Sequence, residues 1–137
     1  MSKHPLDREP LWVSEQVVRA VHQRQLAEHG GGEGVRDESL LISALNRPQN
    51  LFDYGDPKPD LAAMAAAYAH GLCRNHPFVD GNKRTSLIIC QLFLKLNGAA
   101  LTAPPMEKYT TFMKLAAGEM SEAELADWIK MRFKITF

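Results

Sequence analysis

Apolar and polar positions along this chain follow the period of an α-helix in six places. Nowhere do they alternate over a run long enough to predict a strand. The strongest signal is Leu87, Ile88, Ile89, Cys90, Leu92, Phe93, Leu94 and Leu96, closed by Asn97-Gly98. A run of that length ending in Gly predicts a buried helix from Asn82 to Asn97. Upstream, Ser14 is placed to cap a helix to about Glu28, with Val17, Val18, Val21 and Leu26 near helical spacing. Asp37 opens a second helix over 38–47 that groups Leu40, Leu41, Ala44 and Leu45, and Pro48 is expected to stop it. Asp60 opens a third, to about Arg74. Its Ala62, Ala63, Ala65, Ala66, Ala67 and Ala69 permit close approach of a neighbour, expected to be the buried helix. A connection over 99–105, briefly extended, leads to a fifth helix from about Met106 to Ala117, ended by Gly118. Ser121 and Glu124 then match a capping box opening a sixth helix through Leu125, Trp128 and Ile129.

Between the second and third helices, 49–59 carries Gly55, Pro57 and Pro59 among Leu51, Phe52 and Tyr54, which reads as a loop with apolar residues on it. The expected fold is therefore all-α, a compact bundle of about six helices with at most a small β-hairpin in 49–59. Met1 to Pro10 is polar and Pro-containing, so residues 1–13 are read as an N-terminal arm and 14–137 as a single domain. A chain of 137 residues suits one domain with a real core.

Composition narrows the function classes. Sixteen basic residues balance sixteen acidic ones, so no global field draws the protein to nucleic acid or to an anionic membrane surface. No window is apolar enough for a membrane span, and the N-terminus has no apolar signal core. Cys73 and Cys90 are too few for a disulfide framework and sit in apolar helical patterns, as reduced cysteines of a cytoplasmic protein would.

The chemistry is concentrated in His76-Pro77-Phe78-Val79-Asp80-Gly81-Asn82-Lys83-Arg84-Thr85. These polar residues crowd a turn that feeds the N-terminus of the buried helix, where unpaired backbone N–H groups and the helix dipole favour an anion such as phosphate. Asp80 offers a hard oxygen to Mg²⁺ on a nucleotide phosphate. Gly81 allows close backbone approach, while Asn82, Lys83 and Arg84 can neutralise or hydrogen-bond phosphate oxygens. His76 is the natural general base. Together they point to group transfer from a nucleoside triphosphate to a hydroxyl.

Other constellations carry less. His29-Gly30-Gly31-Gly32-Glu33-Gly34 lacks the strand before it and the Lys-Ser/Thr after it that a phosphate loop needs, and reads as a helix-ending turn. His70, Cys73 and His76 have zinc-like spacing, but His76 lies past the helix end and no fourth ligand is evident. Arg74 can serve the phosphate site or the C-terminus of its own helix. His22, in mid-helix, reads as a satisfied or exposed helical residue.

The 76–85 stretch resembles the Fic motif, H-P-F-x-[DE]-G-N-G-R-x-x-R, and still more its Doc variant with N-K-R. His29-Gly30-Gly31, Val35-Arg36-Asp37 and Ser43-Ala44-Leu45 are similar to Doc-like sequences as well, so the resemblance runs from Ser14 to the end. It implies ATP as donor and a protein side chain as acceptor, with His76 as catalytic base, Asp80 as metal ligand, and Asn82 and Arg84 on phosphates. It further implies that Leu51, Phe52 and Tyr54 belong to a flap that aligns the target; packed back on the domain, the two aromatics would have no such role. Two departures favour the Doc branch. Lys83 stands where AMP-transferring members have Gly, and Leu87 where they have a second Arg. The resemblance then implies a toxin that transfers the γ-phosphate of ATP to a Thr or Ser of a protein such as elongation factor Tu, opposed by an antitoxin of Phd type. No Ser or Thr is followed by the inhibitory x-x-x-E-[GN] segment of self-inhibited members. AMP transfer, or a catalytically idle helical module that binds a peptide, are the alternatives.

Overall fold

The computed structural model describes residues 8–136. Six helices and two short strands follow in the order α1 (Glu15–His29), α2 (Glu38–Tyr54), α3 (Leu61–Arg74), α4 (Asn82–Leu96), β1 (Ala99–Leu101), α5 (Pro105–Ala116), α6 (Glu122–Lys130) and β2 (Phe133–Ile135). The expected all-α bundle of six helices is what forms. Four helix starts are set by the expected side chains: Ser14, Asp37, Asp60 and Ser121 each accept a backbone N–H of the first turn, and Ser121 with Glu124 completes a capping box.

α3 is the central element, packed against α2, α4, α5 and α6. Its alanines are what let four helices crowd round it, because a methyl adds little to the interhelical distance. Ala62, Ala65, Ala66, Ala67 and Ala69 are all buried, with Tyr68 and Leu72 filling the wider gaps. Gly71 is the tightest point: a Cβ there would stand 3.2 Å from Cα and Cβ of Ala44 in α2. Burial pushes the Tyr68 phenol up to about 12. Its hydroxyl accepts the Val13 N–H at 3.0 Å.

That bond seats the segment before α1. Pro10 and Val13 are buried, Trp12 packs on Phe52 and Phe93, and the Asn97 side chain pairs with both the N–H and the C=O of Leu11. The end of the expected arm is thus part of the core, while residues 1–7 lie outside the described residues.

Two expectations are corrected. Pro48 does not end the second helix, which continues to Tyr54. Proline inside a helix costs about 3 kcal/mol because it removes one intrahelical bond and crowds the preceding turn. Here the helix is held on both sides of it, by buried Leu41, Ala44 and Leu45 before and by Phe52 against Trp12 after. Consequently Leu51, Phe52 and Tyr54 are helical, and no strand lies in 49–59. The two strands pair elsewhere, antiparallel, with Ala99 opposite Ile135 and Leu101 opposite Phe133. Among the described residues no helix is long and apolar enough to cross a membrane.

Candidate active site

The turn from His76 to Gly81 joins the C-terminus of α3 to the N-terminus of α4. Both helix ends leave backbone groups without intrahelical partners, and the local sequence decides which are satisfied. At the α3 end they are satisfied from outside. Arg36 donates Nε–H to the His76 carbonyl at 2.7 Å and Nη2–H to the Asn75 carbonyl at 2.9 Å. Its own backbone N–H reaches the Pro77 carbonyl at 2.7 Å. His76 itself has φ 53, the one positive value outside glycine among the described residues. A left-handed backbone costs a non-glycine residue about 1 kcal/mol or more and persists where its surroundings impose it. Arg36 supplies that imposition, and His76 is exposed.

The middle of the turn is pinned by Phe78, which is buried and stacked on His22 with ring centroids 3.7 Å apart and planes 9° from parallel. A bridge from Val35 to Phe78 and a bond from the Val79 N–H to the Gly34 carbonyl lay 31–36 alongside the motif like a short strand. Asn82 closes the turn from the other side: its Oδ1 accepts the Phe78 N–H and its Nδ2 donates to the Phe78 carbonyl, both at 2.9 Å. The Asn82 side chain is therefore engaged as a clasp, and its backbone N–H is what faces the site.

At the α4 end the groups stay open. Gly81 is the N-cap at φ 80, ψ 11 and has no capping side chain. The first N–H to bond back is that of Thr85, to the Gly81 carbonyl at 3.0 Å, so those of Asn82, Lys83 and Arg84 have no acceptor among the described residues. A cavity of about 560 Å³ opens over this end, and His76, Asp80, Gly81, Asn82, Lys83 and Arg84 all line it. All six motif residues singled out for chemistry thus share one cavity. Asp80 is exposed at its edge, with Oδ2 accepting the Gly32 N–H at 2.7 Å and Oδ1 free of protein donors among the described residues. Lys83 Nζ lies 2.8 Å from the Met113 sulfur on α5.

The remaining candidates fall elsewhere. Leu51 and Tyr54 line a separate cavity of about 370 Å³ with Arg47, and Phe52 packs on Trp12 under Lys58. The segment beside the motif is 31–36. Arg74 stands in the last turn of α3, where its charge suits that C-terminus, and it also donates to the Ala116 carbonyl at 3.0 Å and so caps α5. The zinc trio does not assemble, for His70 Nδ1 faces Glu122 at 3.5 Å and burial holds the Cys73 thiol up, in its neutral form. Among the described residues no three metal-ligating side chains cluster. The sequence reading gave His22 and Gly32 only helix and turn roles, and met Arg36 only in the family resemblance. The only signals were a polar residue inside an apolar helical pattern, a glycine run longer than a turn requires, and an Arg beside an N-cap.

Residues 12–94 match the Fic/DOC family, a span that holds α1 to α3, all but the last two residues of α4 and every motif residue of the site, and the chain belongs to that family. Among its relatives, Toxin Doc of Mycolicibacterium smegmatis is 46% identical over 74 residues, covering 54% of this chain and 57% of that protein. Protein kinase doc of Escherichia phage P1 is 30% identical over 118 residues, which covers 86% of this chain and 92% of the relative. The match thus spans little more than half of the first relative and nearly all of the second.

Proposed function

We propose that this protein is a Doc-type toxin that transfers the γ-phosphate of ATP to a Thr or Ser hydroxyl of a protein target, elongation factor Tu being the first to test. The observation that carries the reading is that a base, a carboxylate and three open helix-terminal N–H groups line one cavity. Its volume is in the range of small-molecule sites, about 300–1,000 Å³. The relatives named as a toxin and as a protein kinase point the same way.

His76 takes the proton of the attacking hydroxyl as its oxygen bonds to the γ-phosphorus and the bond to the bridging oxygen breaks, releasing ADP. A positioned base contributes about 10²–10⁴-fold, and charge neutralisation by Lys83, Arg84 and the α4 N-terminus carries much of the rest. The donor set fits Mg²⁺: Asp80 keeps one carboxylate oxygen free beside an anion site, and hard oxygen is what that ion takes. When bound, Mg²⁺ neutralises phosphate charge. Lys83, held against Met113 where AMP-transferring members carry Gly, and Leu87 in place of their second Arg, favour γ- over α-phosphate transfer. A Phd-type antitoxin is the expected partner, and the cytoplasm the expected compartment.

The test supplies ATP labelled at the α- or the γ-phosphate with a cell extract, and separately with purified elongation factor Tu. γ-Label on a protein band, lost in His76→Ala, supports the kinase reading. α-Label points to AMP transfer, and no His76-dependent label of either kind overturns both.

A further inference from the structure

We propose that His22, on α1, is a positioning residue that holds the Asp80–Gly81 peptide in the one orientation that makes an anion nest of the α4 N-terminus. This rests on the phosphate-transfer reading of the site.

His22 is 3% exposed, and its Nε2 lies 2.7 Å from the Asp80 carbonyl oxygen. A carbonyl can only accept, so Nε2 carries the hydrogen. The peptide between Asp80 and Gly81 is trans, and in a planar trans peptide the N–H points opposite to the C=O. Drawing the carbonyl towards α1 therefore turns the Gly81 N–H away from His22, and it has no acceptor among the described residues. Gly81 is left-handed (φ 80, ψ 11) and Asn82 begins a right-handed helix. Consecutive residues of opposite hand make successive N–H groups converge into a concavity for anions. The N–H groups of Gly81, Asn82 and Lys83 form such a nest, on the face of the turn that lines the cavity.

Glycine adopts positive and negative φ with similar ease, so nothing local keeps Gly81 left-handed. A flip of the preceding peptide would turn its carbonyl oxygen towards the phosphate. The His22 bond opposes that flip. Stacking on Phe78 at 3.7 Å fixes the ring plane, so the donor has little freedom to follow a displaced carbonyl. A pure packing role would need only a ring in that place. The proposal needs a donor.

His22→Phe keeps a ring on Phe78 and removes the donor; His22→Gln brings an amide N–H towards the same carbonyl. In folded protein with matching circular dichroism, His22→Phe is expected to weaken binding of ATP and of inorganic pyrophosphate, and to lower γ-phosphate transfer by about 10²-fold, the scale of losing one oxyanion donor. His22→Gln is expected to recover most of both. Equal binding and transfer in wild type and folded His22→Phe overturns the proposal and leaves the kinase reading standing. Absence of transfer by the wild type overturns the kinase reading, and pyrophosphate binding still decides the role of His22. In a ¹⁵N-labelled wild type, which needs no variant to fold, the Gly81 amide resonance is expected to move with those of Asn82 and Lys83 on adding pyrophosphate. A Gly81 resonance that stays still while the others move overturns the nest.

Discussion

Gly32 and Asp80, 48 positions apart, are joined by a hydrogen bond from the Gly32 backbone N–H to the Asp80 carboxylate at 2.7 Å. The glycine run after α1 is therefore a buttress for the acid proposed to hold the metal. Space there is tight: a Cβ on residue 32 would stand 2.8 Å from Cγ1 of Val79 and 3.2 Å from Oδ2 of Asp80, so those side chains would have to shift.

Gly32→Ala is accordingly expected to push the loop off Asp80. A hydrogen bond to a charged group contributes about 1.5–3 kcal/mol, and the exposure of Asp80 sets the lower end, about a tenfold fall in kcat. A magnesium titration of the transfer rate checks it. The expected result is a higher concentration for half-maximal rate with the melting temperature nearly unchanged.

Arg36 holds the carbonyls on both sides of the His76 backbone turn. Arg36→Gln is expected to lower kcat by about thirty- to a hundred-and-fiftyfold, from two lost bonds at about 1–1.5 kcal/mol each, with little change in KM for ATP. Arg36→Lys should recover only part, since an ammonium cannot bridge two carbonyls as a planar guanidinium does. Steady-state kinetics of the three proteins decide this. An equal rise in KM without loss of kcat would place Arg36 in nucleotide binding instead.

The contact of Gly71 with Ala44 sets the distance between α3 and α2. Gly71→Val is expected to overpack that seam and destabilise the fold by about 1–3 kcal/mol, read from denaturant midpoints. Because neither Gly71 nor Ala44 lines the cavity over the motif turn, the folded fraction should keep its specific activity.

The Asp37 cap gives stability an acid limb. Its hydrogen bonds from Ser39 and from the Leu40 N–H hold the carboxyl below its ordinary value of 3.8. A depressed carboxyl stabilises the fold above its unfolded value and loses that contribution as pH falls below it. Asp37→Asn caps without titrating. Melting temperatures of the two proteins should run in parallel above pH 5, and the wild type should fall more steeply below pH 4.

Helix starts were legible because a cap and its partners lie within four residues; Ser14, Asp37, Asp60 and Ser121 all act where the sequence places them. The motif was legible for the same reason: ten consecutive residues bring base, acid and helix end together. What was hidden depends on residues far apart in the chain. Pro48 reads as a stop until Trp12 is seen packed on Phe52. Three-residue strands carry no pattern, and Ala99 finds Ile135 only through the folded bundle. His22, Gly32 and Arg36 have only faint local signatures because each acts on an atom 40 to 58 positions away.

That spacing separates two properties usually measured together. Helices form from local contacts, quickly and piecemeal, whereas bonds that close loops of 40 or more residues must wait for the chain to dock. A nicked, truncated or freshly refolded sample can therefore have a full helical spectrum and no ordered site. For this protein, far-ultraviolet ellipticity certifies the scaffold. Only a probe of the α1–motif contacts certifies the active molecule.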